Sequence, residues 1–217
     1  AQSDIVIESF RPGVMARLGI GYKELQKVNN QLIYCVISGY GQDGAYAKLS
    51  GHDINYMGVS GMLSLSGSPD GPPAPGVAMP IADLSAGMFA AIGILAVLHM
   101  RHKTGEGQFI DVSMTDGLVS WVGTYLPEHR HIKVSKGTKM RRAGNGVFRT
   151  KDDRFITIGA VEDIFWNKLL TTLQLSDQFS RPEYDTFMKR MEHAESLNDA
   201  IQDKILTRTA HEWLEIF

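Results

Sequence analysis

Two residues of different chemistry, His52 and Asp83, lie 31 positions apart, each near the predicted start of a helix. A helix N-terminus exposes N–H donors and a partial positive charge, which keep an imidazole neutral, a carboxylate ionised and an enolate oxygen stabilised. The pair therefore predicts one imidazole base and one carboxylate base that flank a carbon acid. Asp is also a common helix cap, and a His beside a glycine turn is often only a satisfied polar residue, so a structural role stays open.

The elements that precede this pair predict an α/β fold. Residues 5–7 and 32–37 are short, continuous apolar runs, which is the pattern of strands covered on both faces. Helical spacing fills the chain between them at 12–18 and 22–28. This β-α-β order predicts parallel strands joined by a right-handed crossover, in a Rossmann-like large domain.

The most hydrophobic segment, residues 85–100, follows Asp83 directly. It is too short, and too closely flanked by Asp83 and His99, for a membrane span of about 20 apolar residues. We therefore expect a core helix and no membrane span. Basic residues at 101–103 and Gly105 mark its end.

The chain divides into two predicted domains. Residues 1–122 form the large α/β domain, of which this chain carries a part, and residues 123–146 form a basic interdomain linker. Residues 147–217 begin with strand alternation on either side of a turn at 151–153 and continue as helices, which predicts part of a smaller α+β domain.

Composition limits the classes of partner. The 217 residues are 43% hydrophobic, the net charge is −2 and the pI is near 6.4, so no global charge attracts nucleic acid or an anionic membrane. A small molecule is the expected partner. The single cysteine, Cys35, excludes a disulfide framework and favours a reducing, cytoplasmic compartment. The histidines show no ligand spacing, so we expect no metal.

Several segments together resemble the family III CoA-transferase (CaiB/BaiF-like) superfamily, over nearly the whole chain. They are Phe10-Arg11-Pro12-Gly13, Ser38-Gly39-Tyr40-Gly41-Gln42, Gly51-His52-Asp53-Ile54-Asn55-Tyr56, Ala82-Asp83 and Gly105-Glu106-Gly107-Gln108. The segment at 51–56, with Gly159-Ala160-Val161-Glu162, is most similar to the α-methylacyl-CoA racemase branch. The resemblance implies that this chain corresponds to the middle of a longer protein.

The resemblance also implies roles for individual residues. His52 and Asp83 match the two catalytic bases of the racemases, and Glu162 matches a glutamate that the partner subunit places beside the histidine. Such a carboxylate would orient the imidazole and raise its basicity. A helix-opening acid is the alternative for Glu162.

Coenzyme A is expected as part of the substrate, with no permanently bound cofactor. Arg11 and Arg17 match positions near the CoA nucleotide in the family. Tyr40 and Gly41, in a turn after a strand end where ligands of α/β sheets bind, and Asp53 are the other expected CoA-binding residues. Arginine suits phosphate because its planar fork donates paired hydrogen bonds, although surface arginines are the simpler explanation. Family members form interlocked dimers, so a homodimer is expected for the intact protein.

Three functions remain open from the sequence. The first is epimerisation of a 2-methylacyl-CoA by 1,1-proton transfer through an enolate, with His52 and Asp83 on opposite faces. The second is CoA transfer between carboxylates, in which Asp83 attacks the thioester and forms a mixed anhydride. Residues 143–148 are more similar to this transferase branch, and Pro80-Ile81 departs from the racemase pattern. The third is a non-catalytic CoA-binding fragment.

Overall fold

The computed structural model describes residues 3–66, 79–124 and 142–217. The chain divides into two compact units, Ala1–Gly137 and Thr138–Phe217. The first unit has a parallel sheet and the second an antiparallel hairpin with helices. The predicted α/β class is therefore confirmed.

The first unit is built on three described strands. They are β1 (Ile5–Glu8), β2 (Ile33–Ser38) and β3 (Phe109–Ser113), in the order β1-β2-β3 with both pairs parallel. Its helices are α1 (Val14–Arg17), α2 (Tyr22–Val28), α3 (Asp53–Val59), α4 (Ile81–Thr104) and α5 (Met114–Val122), and a 3-10 turn covers Met62–Leu65. The predicted parallel crossover is confirmed, and the fuller Rossmann-like strand order stays a prediction.

The central strand β2 is buried on both faces. Ile33 and Cys35 face the core that contains α4, whereas Tyr34 and Val36 pack on the other side with Tyr22 of α2. This explains the continuous apolar run, because alternating residues meet helices on opposite faces of the sheet. Burial raises the pKa of the Cys35 thiol, which makes it a poor nucleophile.

Helix α4 packs along one face only, against the sheet and against α3 and α5. That face consists of small and branched residues: Ala82, Ser85, Ala86, Ala90, Ile94 and Val97. The opposite face exposes Leu84, Met88, Ile92 and Leu95, so the predicted burial of this helix holds for one side. Gly105 ends the helix in the left-handed conformation, as expected.

Length and composition alone would allow α4 to cross a membrane. The helix has 24 residues and contains an 18-residue window of mean hydropathy 2.1. Core helices of soluble proteins meet the same criteria, and here the buried face of α4 lies against β2, β3, α3 and α5. The absence of a membrane span stays a prediction.

The second unit joins a hairpin to helices. The strands β4 (Asn145–Arg149) and β5 (Phe155–Gly159) pair antiparallel. The helices are α6 (Asp163–Thr172), α7 (Ser176–Phe179), α8 (Phe187–Glu192), α9 (Ala194–Ile205) and α10 (Ala210–Ile216). The predicted hairpin is confirmed. Thr209 and Glu212 form a capping box at the start of α10.

The hairpin begins earlier than the sequence indicated. Strand β4 starts at Asn145 rather than Val147, because left-handed Gly144 turns the chain and Arg142 bridges to Asn145. Most of the predicted linker, residues 125–141, lies outside the described residues. The domain boundaries therefore stay a prediction.

Candidate active site

His52 lies directly before α3 and fixes the entry of the chain into that helix. Its backbone N–H donates to the Asn55 side-chain oxygen at 3.0 Å, and its carbonyl accepts from the Asn55 N–H at 2.8 Å. The imidazole belongs to an exposed residue. The prediction that His52 opens a helix is confirmed, and its catalytic role stays a prediction.

Asp83 is the third residue of α4 and not its first. Pro80 directly precedes the helix. Proline suits this position because it has no backbone N–H, and a donor there would have no partner within the helix. Asp83 is exposed in the first turn, so its carboxyl is accessible to a substrate.

Asp53 connects the starts of these two helices. Its Oδ1 accepts hydrogen bonds from the backbone N–H of Ala82 at 2.6 Å and of Asp83 at 3.4 Å. Asp53 is the first residue of α3, yet its carboxylate caps α4. These α4 donors are therefore engaged by Asp53, which corrects the expectation that they face an enolate.

The surroundings of Asp83 raise the pKa of its carboxyl. Asp83 is exposed, but partial desolvation of its carboxyl raises the pKa, the Asp53 carboxylate raises it further, and His52 lowers it. The helix start was expected to keep this carboxylate ionised, but the neighbouring acid and desolvation act in the opposite direction. His52 and Asp83 are therefore close enough to interact electrostatically.

Tyr56 was not singled out from the sequence, and it organises the segment around His52. The side chain is buried, its hydroxyl donates to the Gly51 carbonyl at 2.6 Å, and its ring packs edge-on against Tyr40 at 5.1 Å. A Cβ at Gly39 or Gly51 would collide with the Tyr56 ring. Gly39 and Gly51, which leave room for the ring, are the feature of the sequence that could have pointed to Tyr56.

Tyr40 and Gly41 form a turn after β2. Gly41 has a φ of 83°, which favours glycine, and the next N–H, that of Gln42, donates to Asp111 Oδ2 at 2.8 Å. Burial raises the pKa of Asp111, the Gln42 N–H lowers it, and Asp43 and Asp116 raise it. The hydrogen bond from Gln42 to Asp111 therefore fixes the turn to β3. Contact between this turn and CoA stays a prediction.

Arg11 lies close enough to Tyr56 for its charge to act on that phenol, whereas no contact among the described residues links Arg17 to Tyr56. Burial raises the pKa of Tyr56, Tyr40 and Asp83 raise it further, and the Arg11 charge lowers it. Arg17 occupies the last turn of α1, and both arginines are exposed. Their position leaves the guanidinium groups free to meet phosphate, which stays a prediction.

A separate cavity of about 460 Å³ lies beside α1 and α2. Glu8, Tyr34 and Gln42 are among its lining residues, and neither predicted arginine lines it. The buried Tyr34 hydroxyl finds no hydrogen-bond partner within the described part of the chain. His52 and Asp83 do not line this cavity.

Glu162 belongs to the second unit, where it directly precedes α6 and is exposed. Buried Arg190 holds the residues on both sides of it, donating to the Val161 carbonyl at 2.9 Å and to Asp163 Oδ1 at 2.7 Å. Glu162 therefore lies at a helix start, as the alternative interpretation predicted. The pairing of Glu162 with a histidine of another subunit stays a prediction.

A family model decides the relationship of this chain. The model described as CoA-transferase family III matches residues 1–217. The chain belongs to CoA-transferase family III. The resemblance drawn from the motifs is confirmed.

Curated relatives within CoA-transferase family III include two kinds of enzyme at similar identity. The α-methylacyl-CoA racemase of Homo sapiens is 33% identical, with 100% of this chain and 56% of the relative covered. The succinyl-CoA–D-citramalate CoA-transferase of Chloroflexus aurantiacus is 32% identical over 95% of this chain and 52% of the relative. The chain thus spans about half the length of these relatives.

Solved structures of the family share the fold. Rv3272 from M. tuberculosis superposes with a TM-score of 0.83 at 27% identity, covering 99% of this chain and 56% of that chain. A CaiB/BaiF family protein from Brucella suis gives a TM-score of 0.78 at 27% identity, covering 99% and 58%.

The described residues contain no candidate metal site. There, no three His, Cys, Asp or Glu side chains come together as a set of metal ligands. The expectation of no metal rests on the sequence.

Proposed function

We propose that the whole protein is an acyl-CoA-processing enzyme that epimerises a 2-methylacyl-CoA, as an α-methylacyl-CoA racemase does. The observation that carries this proposal is the arrangement of His52 and Asp83 at the starts of two helices that Asp53 connects. Removal of one proton from C2 and delivery of another to its opposite face require a base and an acid, and an imidazole with a carboxyl can supply both.

The proposed reaction moves one proton off C2 and another onto it. His52 takes the α-proton, because imidazole is a base near neutral pH, and the C–H electron pair moves into an enolate whose oxygen carries the charge. Asp83 then donates its proton to the opposite face of C2. The raised pKa of Asp83 supports this role, because the acid must hold a proton before it can donate one. The roles exchange for the other enantiomer.

The remaining expected residues supply binding. Arg11 and Arg17 would pair with CoA phosphates, and Tyr40 and Gly41 would line the path of the acyl-pantetheine. Glu162 of one subunit would orient His52 of another in an interlocked homodimer. CoA enters as part of the substrate, and no other cofactor is required. We propose a soluble protein in a reducing compartment.

CoA transfer between carboxylates is the second candidate. The exposed side chain of Asp83 supports it, because a nucleophile must reach the thioester carbon. Attack of the Asp83 carboxylate on the thioester carbonyl would release CoA thiolate and leave an aspartyl mixed anhydride. The thiolate would then attack the Asp83 carbonyl, which releases the donor carboxylate and leaves an aspartyl-CoA thioester. An acceptor carboxylate would displace CoA again to form a second anhydride, and attack of the thiolate on its acyl carbonyl would give the new acyl-CoA and free Asp83. His52 has no required step in this reaction. A third candidate is a CoA-binding chain without catalysis.

Nuclear magnetic resonance in heavy water distinguishes these candidates. The whole protein is incubated with an enantiopure 2-methylacyl-CoA, with and without a free carboxylate acceptor. Racemisation predicts deuterium at C2 with inversion and no dependence on the acceptor. A new acyl-CoA that forms only with acceptor, and that survives His52→Ala but not Asp83→Ala, would replace the racemase proposal with the transferase. Binding of a CoA analogue without either reaction would leave the non-catalytic candidate.

A further inference from the structure

The Asp53 carboxylate makes two hydrogen bonds to a helix that is not its own. It lies at the first residue of α3 and accepts from the N–H groups of Ala82 and Asp83, 29 and 30 positions further along the chain. A cap from the adjoining loop would satisfy these donors equally well. Because this cap comes from α3, it also fixes the distance between Asp53, the residue after His52, and the backbone of Asp83.

The first contact is the stronger constraint. The Ala82 N–H lies 2.6 Å from Oδ1, and Ala82 is fully buried against Tyr56 and Leu118 in one core cluster. A carboxylate that accepts from a backbone N–H makes a charge-assisted bond, about twice as strong as a neutral one. Asp53 therefore anchors the first turn of α4 at a point where the helix cannot shift without disturbing its core contacts.

We propose that Asp53 is the positioning residue of the His52/Asp83 pair, because its carboxylate ties the first turn of α4, which carries Asp83, to the first residue of α3, which directly follows His52. This inference rests on the proposed function for its catalytic consequence. The placement itself concerns the two helices alone.

The charge of Asp53 has a second consequence for the same pair. It opposes ionisation of Asp83, as does burial, whereas His52 favours it. Tyr56 is the further titratable group that interacts with Asp83, and Tyr56 in turn interacts with Tyr40 and Arg11. Asp53 thus holds Asp83 in place and also favours the protonated form that can donate to C2.

Two substitutions separate the hydrogen bond from the charge. Asp53→Asn keeps a side-chain oxygen that can accept from Ala82 and removes the charge, whereas Asp53→Ala removes both. Asp199→Asn, an exposed carboxylate on α9, is the matched control. Each variant is made in the whole protein.

The first measurements need no catalysis. Carbon-13 resonances of the aspartate carboxyls are followed against pH, and hydrogen exchange is measured at the Ala82 amide. We expect Asp53→Asn to lower the pKa of Asp83, and Asp53→Ala to accelerate exchange at Ala82 by about tenfold, as loss of one buried hydrogen bond implies. Asp199→Asn should change neither. Exchange at Ala82 that does not accelerate in Asp53→Ala would overturn the proposal. If Asp53→Ala does not fold, exchange at Ala82 that does not accelerate in Asp53→Asn, where the charge-assisted bond becomes a neutral one, would overturn it.

The catalytic measurement then tests the consequence. Asp53→Asn should move the limb of the kcat profile that belongs to Asp83 toward lower pH, and Asp53→Ala should lower kcat with little change in KM. A wild-type protein without isotope exchange or transfer would contradict the proposed function, while the carboxyl titration and the Ala82 exchange would still decide the role of Asp53. An active wild type whose kcat is unchanged in Asp53→Ala would contradict only the positioning role.

Discussion

At the scale of single residues, Tyr56 connects the parts of the site that the chain brings from different segments. Its hydroxyl holds the carbonyl of Gly51, which directly precedes His52, and its ring lies against Tyr40 in the turn after β2. Gly39 and Gly51 leave the space that the ring occupies. The orientation of the His52 segment therefore depends on a buried phenol.

Replacement of Tyr56 by phenylalanine tests this dependence. Tyr56→Phe leaves the ring in place and removes the donor to the Gly51 carbonyl, so the free energy of unfolding should fall by about 1 kcal/mol. Urea denaturation measures the change. Tyr46→Phe is the matched control, because Tyr46 is exposed and should lose less than about 0.5 kcal/mol. Equal losses in both variants would contradict the role of the buried hydroxyl.

Individual residues of the site differ in how far the sequence could reveal them. His52 could be predicted at a helix start, because a glycine precedes it and an Asn three positions later can cap its N–H. The cap by Asp53 could not be predicted, since it joins residues 29 positions apart and depends on the packing of two helices. The raised pKa of Asp83 has the same origin, because burial and the Asp53 charge are tertiary properties.

At the scale of elements, α4 carries Asp83 and also packs against the sheet. Gly93 lies where the helix approaches β3, and a Cβ there would come within 3.1 Å of Ile110 Cγ2. Gly87 lies on the same helix, and a Cβ there would meet nothing within 4 Å. The two glycines therefore have the same helical conformation but different reasons to be present.

Alanine at these two positions should have different effects. Gly87→Ala should raise the free energy of unfolding by about 0.5–1 kcal/mol, because alanine loses less backbone entropy in a helix. Gly93→Ala should give a smaller gain or a loss, because Ile110 must move to admit the methyl group. Urea denaturation of both variants checks this, and equal stabilisation would contradict close packing at Gly93.

The length and end of α4 could be predicted from its apolar run and from Gly105, but its exposed face could not. Nearly every position between 86 and 98 is apolar, so the sequence contains no polar stripe that marks the outer side. The buried face of α4 is the one with small residues, and these let the helix approach β2 and β3 closely. Such a choice depends on the shape of the sheet.

At the scale of the whole molecule, each unit has its own core. In the second unit, Arg190 is 1% exposed and its guanidinium also donates to the Tyr184 carbonyl and lies 5.2 Å from the Trp166 ring. It thus joins α8 to the segment that carries Glu162. The hairpin-then-helices order could be predicted from the sequence, but this buried arginine could not, because it pairs with residues 27 and 29 positions away.

Loss of Arg190 should destabilise the second unit alone. Arg190→Ala removes several hydrogen bonds of a buried charge and should cost roughly 2–4 kcal/mol. Hydrogen exchange should accelerate at Leu170 and Leu197 and stay unchanged at Cys35 in β2. Arg181→Ala, which removes an exposed ion pair at 3.9 Å, should cost less than about 1 kcal/mol. Acceleration in both units would contradict separate cores.

The measurement that tests the central claim most directly is deuterium exchange at C2 of each 2-methylacyl-CoA enantiomer by the wild type, His52→Ala and Asp83→Ala. Two bases on opposite faces predict that the wild type exchanges and inverts both enantiomers. Each variant should lose inversion and retain exchange with at most one enantiomer, the opposite one for the two variants. Wild-type inversion that persists in either variant would contradict the assignment of His52 and Asp83 as the two bases.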